Sequence, residues 1–164
     1  MRALLLLPLL AACAAAPPPV VLPSFRDASL PVASTLRGAP TDLAGEWVVT
    51  QSFPGGPWGD LLGGGVGIAA DARGAGTWTL RRADGTTAVV PVTPLGAGRF
   101  RAGGGPDLWV LWADDAFRTV VVAAPDGTAA WVMDRPGQSG ADRAQAAREV
   151  LDFNGFDVGR LRGA

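Results

Sequence analysis

The chain has 164 residues with 14 basic and 15 acidic side chains, a formal net charge of −1, one cysteine and no histidine. Every basic residue is an arginine, which excludes nucleophiles that need a histidine base, lysine chemistry and zinc sites built from histidine and cysteine. A single cysteine also excludes an intramolecular disulfide, and the near-neutral charge does not indicate nucleic-acid binding. What remains is carboxylate chemistry, with Asp114-Asp115, Glu46 and Glu149 as the candidates, but adjacent aspartates on a strand face opposite ways and instead indicate a turn. We expect a non-enzymatic protein with no catalytic residue, metal or cofactor.

The first residues are arranged as a secretory leader. A single arginine precedes an apolar run that ends in Leu10-Ala11-Ala12-Cys13, and the uncharged residues 3–16 are fewer than the roughly 20 needed to cross a membrane. The junction resembles the lipobox of bacterial lipoproteins, which implies removal of residues 1–12 and acylation of Cys13. The resemblance further implies a lipid-anchored protein of the outer membrane that faces the periplasm. The alternative is an ordinary signal that is cut a few residues later and takes Cys13 with it.

Residues 13–41 form the next segment, which is rich in proline with scattered serine and alanine. This composition favours a stiff, extended spacer over a packed element. We predict that the spacer links the membrane anchor to a single domain over residues 42–164.

The domain is divided into short β-type runs by glycine and proline clusters. Asp84-Gly85 and Asp126-Gly127 are hairpin signals between apolar runs. Short antiparallel strands hide their edges by closing on themselves, so we predict an all-β, eight-stranded antiparallel up-and-down β-barrel with one C-terminal helix. The predicted strands cover residues 45–53, 66–72, 76–82, 87–93, 98–102, 107–113, 117–124 and 128–134.

Alternation along these strands predicts which side chains face the interior of the barrel. An eight-stranded barrel leaves an interior of about ligand width. The candidate ligand-cavity residues are Val49, Phe53, Ile68, Trp78, Leu80, Phe100, Val110, Trp112 and Trp131.

The late strands are also apolar on their opposite face, which requires a cover on the outside of the barrel. A helix over residues 140–153 would provide it, with a capping box at residues 139–142 and a C-terminal stop at Asn154-Gly155. The residues predicted to face outward are Trp109, Leu111, Val120, Val122 and Val132, while Val121 is predicted to face inward.

Three short motifs carry a family resemblance. Gly45-Glu46-Trp47 matches the G-x-W of lipocalins, residues 112–117 resemble the second motif of that family, and residues 131–136 resemble the third. With the helix, they resemble the bacterial outer-membrane lipocalins over residues 42–161. The resemblance implies that the tryptophan of the first motif plugs the closed end of the barrel beneath the arginine of the third, as a cation–π pair. The structural motif residues are then Gly45, Trp47, Asp115 and Arg135.

Two features depart from the family pattern. Phe117 stands where tyrosine is usual, and the barrel segment is short and rich in glycine, which favours a narrow or partly collapsed cavity. The loop over residues 54–65 occupies the place of the family's long loop across the open mouth. Its Trp58, Leu61 and Leu62 form either a lid or a hydrophobic loop core.

The resemblance implies a non-catalytic, membrane-anchored barrel that binds a small apolar partner such as a fatty acid or lysophospholipid. A polar head group would meet Gln51, Arg99 or Arg101 near the mouth. Two alternatives stay open: a protein-binding barrel of the protease-inhibitor type, and a structural envelope lipoprotein with a filled barrel and no ligand. An enzyme is the least favoured class, and the oligomeric state stays open.

Overall fold

The structure is a computed structural model that describes residues 21–35 and 37–163. The predicted leader and Cys13 lie outside the described residues. Two short 3-10 helices cover Pro40–Leu43 and Val158–Arg160. The strands and the helix are β1 Gly45–Ser52, β2 Gly65–Ala70, β3 Gly76–Arg81, β4 Thr87–Gly96, β5 Arg99–Ala102, β6 Leu108–Ala113, β7 Thr119–Ala123, β8 Ala130–Asp134, α1 Ala141–Phe153 and β9 Arg162–Gly163.

Backbone hydrogen bonds close eight of these strands into a barrel. The order around it is β2-β3-β4-β5-β6-β7-β8-β1, neighbouring strands are antiparallel, and β1 also pairs with β2. The short β9 pairs with Gln51 and Ser52 at the end of β1. The predicted eight-stranded antiparallel barrel with one C-terminal helix is confirmed, and its strands begin and end within a few residues of the predicted positions.

The interior of the barrel is filled by apolar side chains. Trp47, Trp78 and Trp131 are each 1% exposed, and the ring of Trp78 packs on Phe100 with centroids 5.5 Å apart. Removing such rings from water is favourable by roughly 25 cal/mol per Å² of apolar surface. The packing of large rings therefore stabilises a closed barrel, at the expense of space inside it.

A second apolar cluster lies outside the barrel, between the late strands and α1. Trp109, Leu111 and Val132 face this outer cluster as predicted. Ala147 and Leu151 of α1 are fully buried against it. The helix is therefore the cover that the doubly apolar strands require.

The faces of β7 are the reverse of those predicted. Val121 lies in the outer cluster, whereas Val120 and Val122 lie inside the barrel. Every residue of β7 is buried, so the strand carries no polar alternation from which its two faces could be told apart.

The helix α1 begins without the predicted capping box. Gly140 is the N-cap residue and no side chain bonds to the first turn, so the prediction for residues 139–142 is wrong. At the other end Asn154 is the C-cap, and Gly155 follows with a φ of +82°, a conformation that favours glycine. The predicted C-terminal stop is confirmed.

Two β-bulges place Phe53 and Trp112 on the face opposite to the predicted one. In β1 the register against β8 moves from Val49 directly to Gln51, and in β6 the register against β7 moves from Val110 directly to Trp112. Each bulge sets two successive side chains on the outer face, so alternation counted from the preceding residues is out of phase. Phe53 and Trp112 consequently pack in the outer cluster and not in the interior.

Part of the predicted spacer is packed against the barrel. Phe25 is buried and stacks on Phe53 with ring centroids 4.9 Å apart. Farther along, the N–H of Thr35 donates to the carbonyl of Val110 over 2.8 Å. The folded domain therefore begins near residue 24, well before the predicted boundary at residue 42.

Phe25→Ala should lower the free energy of unfolding by about 3 kcal/mol. The ring fills a buried site between Phe53 and the guanidinium of Arg160, whose Cζ lies 4.4 Å from the ring centroid. Urea denaturation followed by tryptophan fluorescence measures the change. Val21→Ala is the control, because Val21 is 89% exposed. Equal stability of the Phe25→Ala variant and its parent would mean that the segment does not contribute to the fold.

Candidate functional site

The two ends of the barrel differ in what closes them. One end, which we call the 3-10 end, carries the helix Pro40–Leu43 together with the β4–β5 and β6–β7 turns. The other, which we call the loop end, carries the β1–β2 loop over residues 53–64 and the β3–β4 and β7–β8 turns. Because the interior is filled, a ligand site within the barrel depends on the space that either end leaves.

Arg135 joins the parts of the 3-10 end. Its Cζ lies 3.8 Å from the centroid of the Trp47 ring. Its Nη1 and Nη2 each donate over 2.9 Å, to the carbonyls of Ala44 and Asp42, and its Nε donates to the carbonyl of Phe117 over 3.3 Å. Burial lowers the pKa of Arg135 from its ordinary value. One guanidinium thus connects the 3-10 helix, the start of β1 and the β6–β7 turn.

Trp47 and Gly45 complete this closure. The Nε1 of Trp47 donates to the carbonyl of Leu43 over 2.8 Å, which holds the 3-10 helix on the indole. Gly45 has a φ of +110°, and a β-carbon there would lie 2.8 Å from Nη1 of Arg135. Glycine is therefore required both by the backbone conformation and by the space available. The structure brings together Gly45, Trp47 and Arg135, three of the four motif residues.

The fourth motif residue, Asp115, lies outside this closure. Its carboxylate is 88% exposed and pairs with Arg37. The neighbouring Asp114 organises the β6–β7 turn instead, because its carboxylate is 7% exposed and accepts from the N–H of Thr119 and from the Nε of Arg118, both over 2.8 Å. Two adjacent aspartates signal the turn in the sequence, but the pattern does not distinguish which of them caps it.

The loop end is closed by its own side chains. Trp58 and Leu61 are buried in the interior cluster, and Leu62 is half-buried. Trp58 meets Trp131 edge to face with ring centroids 6.4 Å apart, and the carbonyl of Trp58 accepts from the Nε of Arg82 over 2.7 Å. The space beside these rings is about 10 Å³, near the lower limit for one water molecule. The β1–β2 loop is therefore packed down as a hydrophobic plug.

A cleft of about 150 Å³ lies at the 3-10 end, and we call it the end cleft. Its walls are apolar, since Leu43, Phe100 and Val110 are buried core residues and Phe117 packs against that core. The end cleft is lined by Thr35, Arg37, Gly38, Ala39, Pro40, Leu43, Pro94, Gly96, Ala97, Gly98, Arg99, Phe100, Val110 and Phe117.

The two turns that frame the end cleft have unusual backbone conformations. Ala97 in the β4–β5 turn has a φ of +52°, and Phe117 in the β6–β7 turn has a φ of +51°. This left-handed region is costly for residues with a side chain, above all for a large aromatic one. Within the described part of the chain, no other residue besides glycines adopts it. Strain of this kind is concentrated at binding sites in proteins, and here both instances line one cleft.

The nine candidate cavity residues fall into three groups. Phe100 and Val110 line the end cleft. Phe53 and Trp112 lie in the outer cluster because of the bulges in β1 and β6. The remaining five are buried in the filled interior: Val49, Ile68, Trp78, Leu80 and Trp131.

The three polar residues proposed for a ligand head group are also separated. Gln51 lies on the outer face beyond the bulge in β1, where its Nε2 donates to the carbonyl of Ala144 over 3.3 Å. Arg101 forms an ion pair with Asp107 at 3.5 Å. Of the three residues, Arg99 lines the end cleft, at the 3-10 end of the barrel and not at the mouth predicted for it.

In the part of the chain that the structure describes, no helix combines the length and the apolar character needed to span a membrane. In those same residues, no group of three or more cysteine, aspartate or glutamate side chains is placed so that it could hold a metal ion.

Arg135→Lys should lower the free energy of unfolding by about 2 kcal/mol. Lysine keeps the positive charge but cannot donate to three carbonyls from a planar group while covering the Trp47 ring. The midpoint of urea denaturation measures the loss, and Arg73→Lys on the exposed β2–β3 turn is the matched control. An unchanged midpoint for Arg135→Lys would show that the planar guanidinium, with its several donors, is not needed for stability.

Asp114→Asn should make the protein less stable near neutral pH by about 1.5 kcal/mol. Burial raises the pKa of the Asp114 carboxyl, but hydrogen bonds from Thr119 and Arg118 outweigh it and hold the pKa below its ordinary value. A depressed pKa adds stability that is present above the pKa of the unfolded chain and is lost as the pH falls through the folded pKa.

The difference in stability between Asp114→Asn and the parent should therefore shrink as the pH falls below about 4. Urea denaturation at a series of pH values measures it. The matched control is Asp115→Asn, which should cost little stability near neutral pH because the Asp115 side chain is 88% exposed. A difference that is independent of pH would assign the loss to packing and not to the charge.

Comparison with known proteins identifies the fold. No protein-family model and no curated protein matches the chain. Among solved structures, the cockroach major allergen Per a 4 has a TM-score of 0.58 at 14% sequence identity, covering 84% of this chain and 95% of the allergen. Apocrustacyanin C2 has a TM-score of 0.54 at 12% identity, and the match covers 88% of this chain and 92% of the apocrustacyanin chain. At these identities the likeness establishes the fold alone, and the closed eight-stranded barrel with its C-terminal helix is a lipocalin fold.

Proposed function

We propose that the protein is a non-catalytic binding protein that holds a small apolar ligand in the end cleft. The observation that carries the proposal is the apolar lining of this cleft by Leu43, Phe100, Val110 and Phe117. An apolar molecule gains free energy by leaving water for such walls, without any reacting group. The lipocalin fold supports a role for the barrel in binding small molecules.

The volume of the end cleft limits what it can enclose. At about 150 Å³ it matches the engineered apolar cavity that accepts benzene. A single aromatic ring or a short alkyl chain fits this space. A fatty acid or a lysophospholipid, the ligands that the family resemblance implies, would place only the end of its chain there while the interior stays packed.

The proposed location is the periplasmic face of the outer membrane, with an acyl anchor at Cys13. The motif Leu10-Ala11-Ala12-Cys13 supports this proposal. Because the domain begins near residue 24, about 11 residues separate the anchor from the fold, and they reach at most about 38 Å when fully extended. A protein held so close to a bilayer would meet ligands that partition into or leave the membrane.

A structural lipoprotein with no ligand is the second candidate function. The filled interior favours it, because Trp47, Trp78 and Trp131 occupy the space that a larger ligand would need. A protease-inhibitor-like role has less support. Inhibitors of that type insert a free N-terminal segment into the enzyme, whereas here Phe25 is buried against the barrel.

Binding in the end cleft should be lost in Ala39→Trp. Ala39 lines the cleft, and its φ of −95° and ψ of 156° are extended values that any residue adopts, so an indole there should block the cleft without disturbing the core. The full chain carrying Cys13→Ser is titrated with toluene and followed by NMR. We expect Ala39→Trp to weaken binding by about tenfold or more.

The matched control is Ala83→Trp, which adds the same side chain on the exposed β3–β4 turn at the loop end and should bind as the parent does. Organic extraction and mass spectrometry of the purified protein would identify a resident ligand. Absence of both toluene binding and an extracted molecule would overturn the proposal and favour the structural role. Equal weakening by both tryptophan variants would move the site away from the end cleft.

A further inference from the structure

We propose that the end cleft is selective for small anions with an apolar body about the size of one ring, such as aromatic or short-chain carboxylates, and that Arg99 determines this selectivity. The inference rests on the proposed function, since it names the ligand class of the same cleft. It assigns the charged group of the ligand to the rim of the cleft and the apolar body to its walls.

The charge of the rim is positive. The residues that line the end cleft include two arginines, Arg37 and Arg99, and no aspartate or glutamate. Two carboxylates contact residues of the lining and are already engaged there, because that of Asp42 accepts from the N–H of Ala39 over 2.7 Å and that of Asp115 pairs with Arg37. An anionic group at the rim would therefore meet two guanidiniums and no carboxylate of the lining.

Arg99 is held in place and still has donors to offer. Its Nε donates to the carbonyl of Gly96 over 3.2 Å, and its Cζ lies 5.4 Å from the centroid of the Trp109 ring. Among the described residues, neither of its Nη atoms has a hydrogen-bond partner. A planar fork that is oriented on one side and unoccupied on the other suits a carboxylate, which accepts two parallel hydrogen bonds.

Arg37 is a weaker second contributor. Its ion pair with Asp115 is exposed, with 53% of the arginine side chain and 88% of the aspartate side chain accessible. Exposed ion pairs of this kind contribute little to the stability of a protein in water. A ligand anion can therefore recruit Arg37 at small cost, although the selectivity depends on Arg99.

The two parts of the site together limit the length of the ligand. The charged group lies at the rim and the cleft behind it encloses about 150 Å³, so the apolar body must end within that depth. A long-chain carboxylate whose head group binds Arg99 would have to push its chain into the packed interior. A one-ring carboxylate satisfies both the guanidinium and the walls.

The test compares benzoate with benzyl alcohol, which share a ring and differ in charge. Both are titrated into the full chain carrying Cys13→Ser and followed by NMR, with hexanoate and palmitate as probes of length. We expect the parent to bind benzoate about tenfold more tightly than benzyl alcohol. Added salt should weaken the binding of benzoate and leave that of benzyl alcohol unchanged.

Arg99→Gln should remove the preference for benzoate while keeping the affinity for benzyl alcohol, and Arg99→Lys should retain part of the preference. Arg101→Gln is the matched control, since Arg101 lies on the same strand and pairs with Asp107 outside the end cleft. Urea denaturation checks that all three variants are folded.

The outcomes separate the two proposals. If benzoate and benzyl alcohol bind equally and Arg99→Gln changes neither, the selectivity is refuted and the apolar binding function stands. Tighter binding of palmitate than of benzoate and hexanoate would refute the length limit. If no probe binds the parent, the proposed function itself fails.

Discussion

The guanidinium of Arg135 is the interaction on which the rest of the structure depends. It covers the Trp47 ring at 3.8 Å and donates to carbonyls on both sides of the barrel closure. A chain of eight strands closes only if the first and the last are held together, and this side chain comes from the end of the last strand and bonds to residues that flank the first. The same contacts position the 3-10 helix and the β6–β7 turn, which supply Leu43 and Phe117 to the end cleft. The backbone ladders close the barrel, and the arrangement of its 3-10 end and the shape of the end cleft both depend on this one side chain.

The fold could be predicted because its signals are local. Each signal spans only a few neighbouring residues of the sequence: the hairpin turns, the short apolar runs and the glycine that ends the helix. Gly45, Trp47 and Arg135 likewise lie in short motifs. The orientation of individual side chains could not be predicted to the same extent. Thr50 and Leu111 are unpaired bulge residues, and nothing in the composition of β1 or β6 marks them. Phe53 and Trp112 therefore point away from the side that simple alternation indicates.

The candidate site was less accessible to sequence reasoning than the fold. Its walls come from four places: the segment that contains Thr35, residues 37–40 and Leu43; the end of β4 with the β4–β5 turn; the β6–β7 turn; and the strands β5 and β6. The first of these lies in a proline-rich stretch that is typical of a linker, so its packing on the barrel gives no local signal. The positive φ values of Ala97 and Phe117 also could not be predicted from the sequence, because neither residue type favours that conformation. Arg99 and Arg101 are equivalent in the sequence, and only the three-dimensional neighbours distinguish them.

The bulge at Thr50 has a consequence for how this strand can change in length. Thr50 and Gln51 both project outward between the inward Val49 and Ser52, and the hydroxyl of Thr50 donates to Asp134 over 2.8 Å. A deletion of Thr50 would join Val49 to Gln51 and restore regular pleating, with every other side chain of the strand on its present face. The cost would be one hydrogen bond on the outer wall, not an inversion of the core. β1 can therefore lose Thr50 as the sequence diverges in evolution. Loss of its neighbour Val49 would instead remove a fully buried side chain from the interior.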